Sequence, residues 1–77
     1  MNNTGTTKTI ILRMAAVGPV DASGCSRSAG ITLSAAYKHL KELVETGMLE
    51  RFTDGHFRNR IYYRLTRFGC EALLVTE

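Results

Sequence analysis

Gly30 separates two short stretches of helical spacing, and few folds accommodate what flanks it. Upstream, the run from Asp21 to Ala29 puts Ala22, Cys25 and Ala29 at i, i+3 and i+7, on one face of a helix. Asp21 suits the N-cap, where a carboxylate accepts the free amide hydrogens of the first turn. Downstream, Thr32 caps a helix running to about Thr46, with Ala36, Leu40, Leu43 and Val44 as its apolar stripe. A glycine between two such helices supplies the left-handed backbone of a tight turn. Ala29, Ile31 and Ala36, nearest the crossing, are small or apolar and let the helices approach closely. With the stripe turned inward, Ser34, Ala35, Tyr37, Lys38 and Lys41 are left to face outward. Gly24 costs the first of these helices about 1 kcal/mol relative to alanine, so tertiary packing must hold it.

The remaining chain supplies that packing. Thr6 to Val17 reads as a first helix through Ile10, Ile11, Met14, Ala15 and Val17, and Gly18 with Pro19 stops it. Gly47 ends the third helix, and there the period changes. Met48 to Thr53 and Arg60 to Leu65 are rich in aromatic and β-branched residues. The second alternates, with Ile61, Tyr63 and Leu65 on one side and Arg60, Tyr62 and Arg64 on the other. Asp54-Gly55 begins a turn between them, a hairpin signal. Met48 and Leu49 are both apolar, which leaves open which of them faces the core. A last helix starts with Thr66 as N-cap and carries Phe68, Leu73 and Leu74. The expectation is a mostly helical α+β fold of three helices, a β-hairpin and a C-terminal helix, forming one domain over residues 1–77.

Composition narrows the function classes. An apolar fraction of 44% argues against disorder. There is no run of ~18 apolar residues, so no membrane span is expected. Met1 to Thr9 lacks the apolar stretch of a secretory signal, which leads to the expectation of a cytoplasmic protein. Cys25 and Cys70 form neither a CxxC pair nor a disulfide framework, and both are expected as buried thiols. Arg51, Arg58, Arg60, Arg64 and Arg67 face a single acid, Asp54, between positions 51 and 67, whereas the rest of the chain is near balance. The net charge of +3 therefore resides in the hairpin region, where a concentrated positive field suits a phosphate backbone. Catalysis finds no support: no Gly-rich phosphate loop, no paired carboxylates and no linked histidines occur, and the glycines at 18, 24 and 30 do not fit GxGxxG. No enzyme, cofactor, metal site or small-molecule ligand is expected.

The segment Cys25 to Leu40, CSRSAGITLSAAYKHL, has helix-turn-helix spacing. LSAAYKHLKELVETGMLER, followed by a hairpin and then YRLTRFGCEALL, resembles the winged-helix DNA-binding core of the multiple antibiotic resistance regulators (MarR-like). It is also similar to arsenic-repressor and PadR-type relatives. Leu65-Thr66 with Gly69 is the most family-like feature, and the resemblance covers roughly residues 8 to 75. It implies that Ser34, Ala35, Tyr37, Lys38 and Lys41 present a recognition surface to the major groove. The hairpin tip from Asp54 to Asn59, with His56, would be a wing, and Arg58 and Arg60 would reach phosphate or the minor groove. Arg27 and Ser28, late in the second helix, and Thr32, at the start of the third, complete the expected DNA-contacting set. The long terminal helices with which full-length members dimerise and enclose a ligand are not evident, nor is a metal-binding cysteine pair, so drug or metal sensing is not carried over.

The expected function is a sequence-specific double-stranded DNA-binding protein, a small transcriptional repressor acting as a homodimer. Its dimer surface would lie on the first and last helices, at Ile10, Met14, Phe68 and Leu74. The alternatives are a winged-helix protein-interaction module, or a plasmid or phage replication, partition or excision factor. Individual residues also have plainer readings. Lys41 could pair with Glu45, and Arg64 and Arg67 with Glu50 or Glu71. His39, between the outward and buried faces, reads as a packed or capping histidine, and His56 has no partner at metal-ligand spacing. The whole reading requires Tyr37 and Lys38 to point outward, on the same side as Arg58 and Arg60.

Overall fold

Six elements follow one another in the computed structural model, which describes residues 3–54 and 60–76. They are α1 (Asn3–Val17), α2 (Ala22–Ala29), α3 (Leu33–Glu45), β1 (Leu49–Asp54), β2 (Arg60–Leu65) and α4 (Arg67–Thr76). The order and type match the sequence expectation, with shifted ends. Helix α1 begins at Asn3 rather than Thr6, because the polar residues of its first turn add nothing to the apolar period that marks a helix.

The caps are those the residue types call for. Asp21 is extended and its Oδ1 accepts from the Gly24 amide at 2.8 Å, starting α2. Gly30 follows α2 at φ 68°, and its amide donates to the Ser26 carbonyl. The Ser26 hydroxyl donates to the Ile31 carbonyl at 2.6 Å and ties the turn back to α2. Thr32 caps α3 by accepting from the Ala35 amide at 3.1 Å.

The core is assembled from every layer. Ile11, Leu12 and Ala15 of α1, Ala22 and Cys25 of α2, Ala36, Leu40 and Leu43 of α3, and Leu49 and Tyr63 of the hairpin are buried together. The choice between Met48 and Leu49 falls to Leu49, at 2% exposure, with Met48 half-buried against the core. The antiparallel register pairs Leu49 with Leu65, Arg51 with Tyr63 and Thr53 with Ile61 on one face. Glu50 with Arg64 and Phe52 with Tyr62 lie on the other. Val20 bridges to Tyr63, its amide donating to the Tyr63 carbonyl at 2.9 Å and its carbonyl accepting the Tyr63 amide at 2.8 Å. The α1–α2 connection thus runs along the free edge of β2.

Helix α4 is anchored at its first turn. The Thr66 hydroxyl accepts from the Gly69 amide at 3.0 Å and lies 2.6 Å from the Gly47 carbonyl, to which it donates. Gly69 is buried against the Met48 carbonyl.

One expectation about burial is corrected here. Cys25 is buried, but Cys70 is exposed. Gly69 and Leu73 take the inward positions of α4, and the residue after Gly69 is rotated about 100° away from them, as 3.6 residues per turn requires. Ile61 lies on the Tyr63 face as the alternation predicts, yet it is 36% exposed, because the hairpin has outrun the core at that point.

Candidate nucleic-acid interface

The outward side of α3 follows from its inward side. With Ala36 and Leu40 fully buried, helical geometry turns Ser34, Tyr37, Lys38 and Lys41 away from the core, and all four are exposed. Tyr37 is 51% exposed although aromatic. Ala35 is half-buried, and Thr32 is exposed with its hydroxyl engaged as the helix cap. His39 faces sideways: its Nδ1 is buried without a hydrogen-bond partner and lies 3.8 Å from Glu42 Oε1. Glu42 is pulled the other way by Lys8 of α1, 3.0 Å distant, and this hydrogen bond holds its carboxyl below the ordinary glutamate range. The packed reading of His39 matches this placement.

Two open clefts flank the exposed residues of α3. The first, of about 450 Å³, is lined by Asp21, Ser23, Ser26 and Arg27 from α2 and its cap, by Leu33 at the start of α3, and by Arg60 at the start of β2. Because Val20 pairs with Tyr63, antiparallel continuation sets Asp21 and the start of α2 beside the start of β2, so Arg60 borders the same cleft as Arg27 in the last turn of α2. The Arg60 guanidinium is held further into its charged form by a hydrogen bond with the Tyr62 side chain. Ser28 is exposed on the same helix as Arg27.

The second cleft, of about 420 Å³, lies between α3 and the hairpin. Tyr37, Lys41, Val44 and Glu45 line it from α3, and Arg51, Ile61 and Tyr63 from the strands. Tyr63 is buried here, and burial raises the pKa of its hydroxyl. The alternative pairing of Lys41 with Glu45 is not among the ion pairs of the described residues, although both border this cleft.

The outer face of the hairpin is self-satisfied. Arg64 binds the Glu50 carboxylate through both Nε and Nη2 and lies over the Phe52 ring at 5.2 Å, while Phe52 stacks on Tyr62 at 5.8 Å. Arg64 is therefore spent on the strand surface, as its plainer reading held. The Arg67–Glu71 alternative is not among the ion pairs of the described residues.

Of the expected site residues, Arg27, Ser28, Thr32, Ser34, Ala35, Tyr37, Lys38, Lys41 and Arg60 lie along α2, α3 and the adjoining end of β2. His56, Arg58 and Asn59 lie outside the described residues. Sequence reasoning passed over Leu33 and Arg51. Leu33 is 47% exposed at the first position of α3, where an apolar residue would ordinarily be assigned inward. Arg51 belonged to the basic run, but the uneven alternation of β1 hid its direction. Ile10 and Met14, expected at a dimer surface, are half-buried, with Met14 packed on the core; Phe68 and Leu74 are exposed at 54% and 71%. Among the described residues no cluster of metal-ligating side chains occurs, and no helix is long and apolar enough to cross a membrane.

A helix, a glycine turn, a second helix with a polar outward row, and a β-hairpin packed beside it define a winged helix-turn-helix. Comparison with solved structures finds the same fold. It is similar to the transcriptional regulator BldR from Sulfolobus solfataricus, with a TM-score of 0.85 and 21% identity over 91% of this chain and 50% of that one. A mutant of MarR from E. coli matches with a TM-score of 0.79 and 17% identity, over 88% of this chain and 51% of that one. A ZitR mutant from Lactococcus lactis, solved in complex with DNA, matches with a TM-score of 0.79 and 19% identity, over 88% and 47% respectively. The chain thus spans about half the length of these proteins, and the likeness is one of fold. The fold implied by the sequence resemblance is the fold found. No protein-family description and no curated protein matches the chain.

Proposed function

We propose that the chain is a sequence-specific DNA-binding transcriptional regulator, a repressor in its simplest form, which engages duplex DNA as a homodimer. Helix α3 enters the major groove with Ser34, Tyr37 and Lys38 towards the base edges and Lys41 at the groove margin, and the hairpin follows the backbone or minor groove. The observation that carries this reading is the concentration of exposed polar and basic side chains on α3, flanked by the Arg27–Arg60 cleft. It gains support from two of the solved relatives in fold, one described as a transcriptional regulator and one solved with DNA. The exposed Phe68 and Leu74 of α4 are the proposed dimer surface. Two-fold pairing doubles phosphate neutralisation and base readout, which a module of this size needs.

The test begins with selection of bound duplexes from a random pool, followed by anisotropy titrations on the winning site. The expected site is a near-palindrome with half-sites about one helical turn, roughly 34–36 Å, apart. Affinity should fall by orders of magnitude between about 50 and 200 mM salt. Lys38→Ala and Tyr37→Ala should each weaken specific binding by about 5- to 150-fold, the range for a lost contact of about 1–3 kcal/mol. A pool that shows no enrichment, or binding indifferent both to salt and to a Lys38/Arg60 double alanine change, rejects the proposal. It would favour a protein-interaction module instead.

A further inference from the structure

We infer that Arg51 and Lys41 together hold a DNA backbone phosphate in the cleft between α3 and the hairpin, an inference that rests on the DNA-binding reading above. Arg51 occupies an unusual place. In the hairpin register it shares the core-facing row with Leu49 and Thr53, opposite Tyr63, where alternation calls for an apolar side chain. It is nevertheless exposed, and borders the same cleft as Tyr37 and Lys41. Among the described residues neither Arg51 nor Lys41 has a carboxylate within ion-pair distance. Arg64, on the opposite face of the hairpin, is consumed by Glu50. One arginine of the hairpin is thus turned to a structural pair, while another is directed to open space beside the proposed recognition helix.

The spacing fits a duplex. The Arg27–Arg60 cleft opens at Leu33, and the second cleft lies along Tyr37, Lys41 and Glu45. Leu33 to Lys41 rises about 12 Å along a helix axis, close to the width of the major groove. Cations at both ends of that span can meet the two strands that border one groove. The second cleft also carries its own opposition, since Glu45 lines it beside Lys41 and Arg51. A carboxylate there repels an incoming phosphate, which leaves one net positive charge and makes the site sensitive to change in either direction.

The experiment measures affinity against salt on the selected duplex and on an unrelated one, for the wild-type chain, Arg51→Ala, Arg51→Lys and Glu45→Gln, with circular dichroism of each. Arg51→Ala should bind both duplexes about tenfold more weakly per subunit and reduce the slope of log K against log salt by about 1.8 for the dimer, the signature of one lost phosphate in each subunit. Arg51→Lys should keep the wild-type slope, and Glu45→Gln should tighten binding several-fold on both duplexes. An unchanged slope in Arg51→Ala, or no gain from Glu45→Gln, overturns the inference while leaving the DNA-binding proposal intact. If Arg51→Ala loses its fold, the Glu45→Gln result alone decides in the same way. A wild-type chain that binds neither duplex overturns both.

Discussion

Replacing Gly69 by alanine sets two ordinary rules against each other. Within a helix, alanine is favoured over glycine by about 1 kcal/mol, so propensity alone makes Gly69→Ala stabilising. Packing makes the opposite demand. A Cβ at this position would lie 2.1 Å from the Met48 carbonyl oxygen, 2.9 Å from the Met48 carbonyl carbon and 2.9 Å from Leu65 Cδ1. Relief needs a retreat of roughly 1 Å to reach ordinary contact, and the obstructing atom is backbone, not the end of a flexible side chain. The same carbonyl accepts from the Thr66 amide and the Thr66 hydroxyl, both at 3.1 Å, so moving it breaks the anchor of α4. Overpacking costs about 1–3 kcal/mol, and two hydrogen bonds add about 1 kcal/mol each. Subtracting the propensity gain leaves a net destabilisation of about 2–4 kcal/mol. For a domain of this size that lowers the melting temperature by at least about 10 °C. Thermal unfolding followed at 222 nm reads the effect directly. Gly18→Ala serves as the control, because a Cβ there meets nothing within 4 Å. A Gly69→Ala melting temperature equal to or above wild type would refute the close-approach argument, since propensity would then have prevailed.

The two thiols should differ in reactivity. Burial, with the Asp21 carboxylate nearby, pushes the Cys25 thiol up to about 11, whereas Cys70 is exposed. A disulfide reagent at pH 8 should therefore modify one thiol quickly in the native protein and two after denaturation. Equal native rates would contradict the burial of Cys25. The Lys8–Glu42 bond gives a pH dependence of defined sign. Its carboxyl is held below the ordinary value of 4.5, so the stability it contributes is complete above pH 4.5 and is lost as the pH falls through the lowered folded value. Melting temperatures of Lys8→Ala and wild type should differ at pH 7 and converge towards pH 3; a constant gap would show that the pair does not titrate as described.

Local chemistry made much of this fold legible. The caps at Asp21 and Thr32 and the left-handed Gly30 depend on residue type and nearest neighbours, and each lies where its chemistry places it. The stripe of α3 was legible for the same reason, because Ala36, Leu40 and Leu43 repeat at helical spacing within a single element. What the sequence withheld was relational. Cys70 reads as a small hydrophobe, and only the close seating of Gly69 on Met48 determines which way the next residue turns. Ile61 and Arg51 lie on the inner face of a hairpin that extends past the core it covers, and the end of the core is set by how far α3 runs beside the strands. The candidate surface divides along the same line. Tyr37, Lys38 and Lys41 could be read from α3 alone, whereas the placing of Arg27 and Arg60 on one cleft depends on a pairing between distant segments.

That pairing bears on how so thin a fold can present a surface at all. A two-stranded hairpin is marginally stable by itself in water. Here the hairpin is not by itself, since Val20 adds two hydrogen bonds along the edge of β2 and Tyr63 is buried in the common core. Both attachments act at one residue, so the segment that introduces α2 and the strand that carries Arg60 are held to each other. Helix α2 in turn fixes α3 through the Gly30 turn, whose Ser26–Ile31 bond closes it from within. The exposed faces of α2, α3 and β2 therefore share a single frame, anchored at residues that are themselves buried or bonded to backbone. Side chains on the outward row need contribute nothing to that frame: Ser34, Tyr37, Lys38 and Lys41 can vary in chemistry without disturbing Ala36, Leu40 or Tyr63. This separation lets one scaffold carry different surface chemistries, in keeping with a fold shared by solved structures that have only about a fifth of their residues in common with this chain.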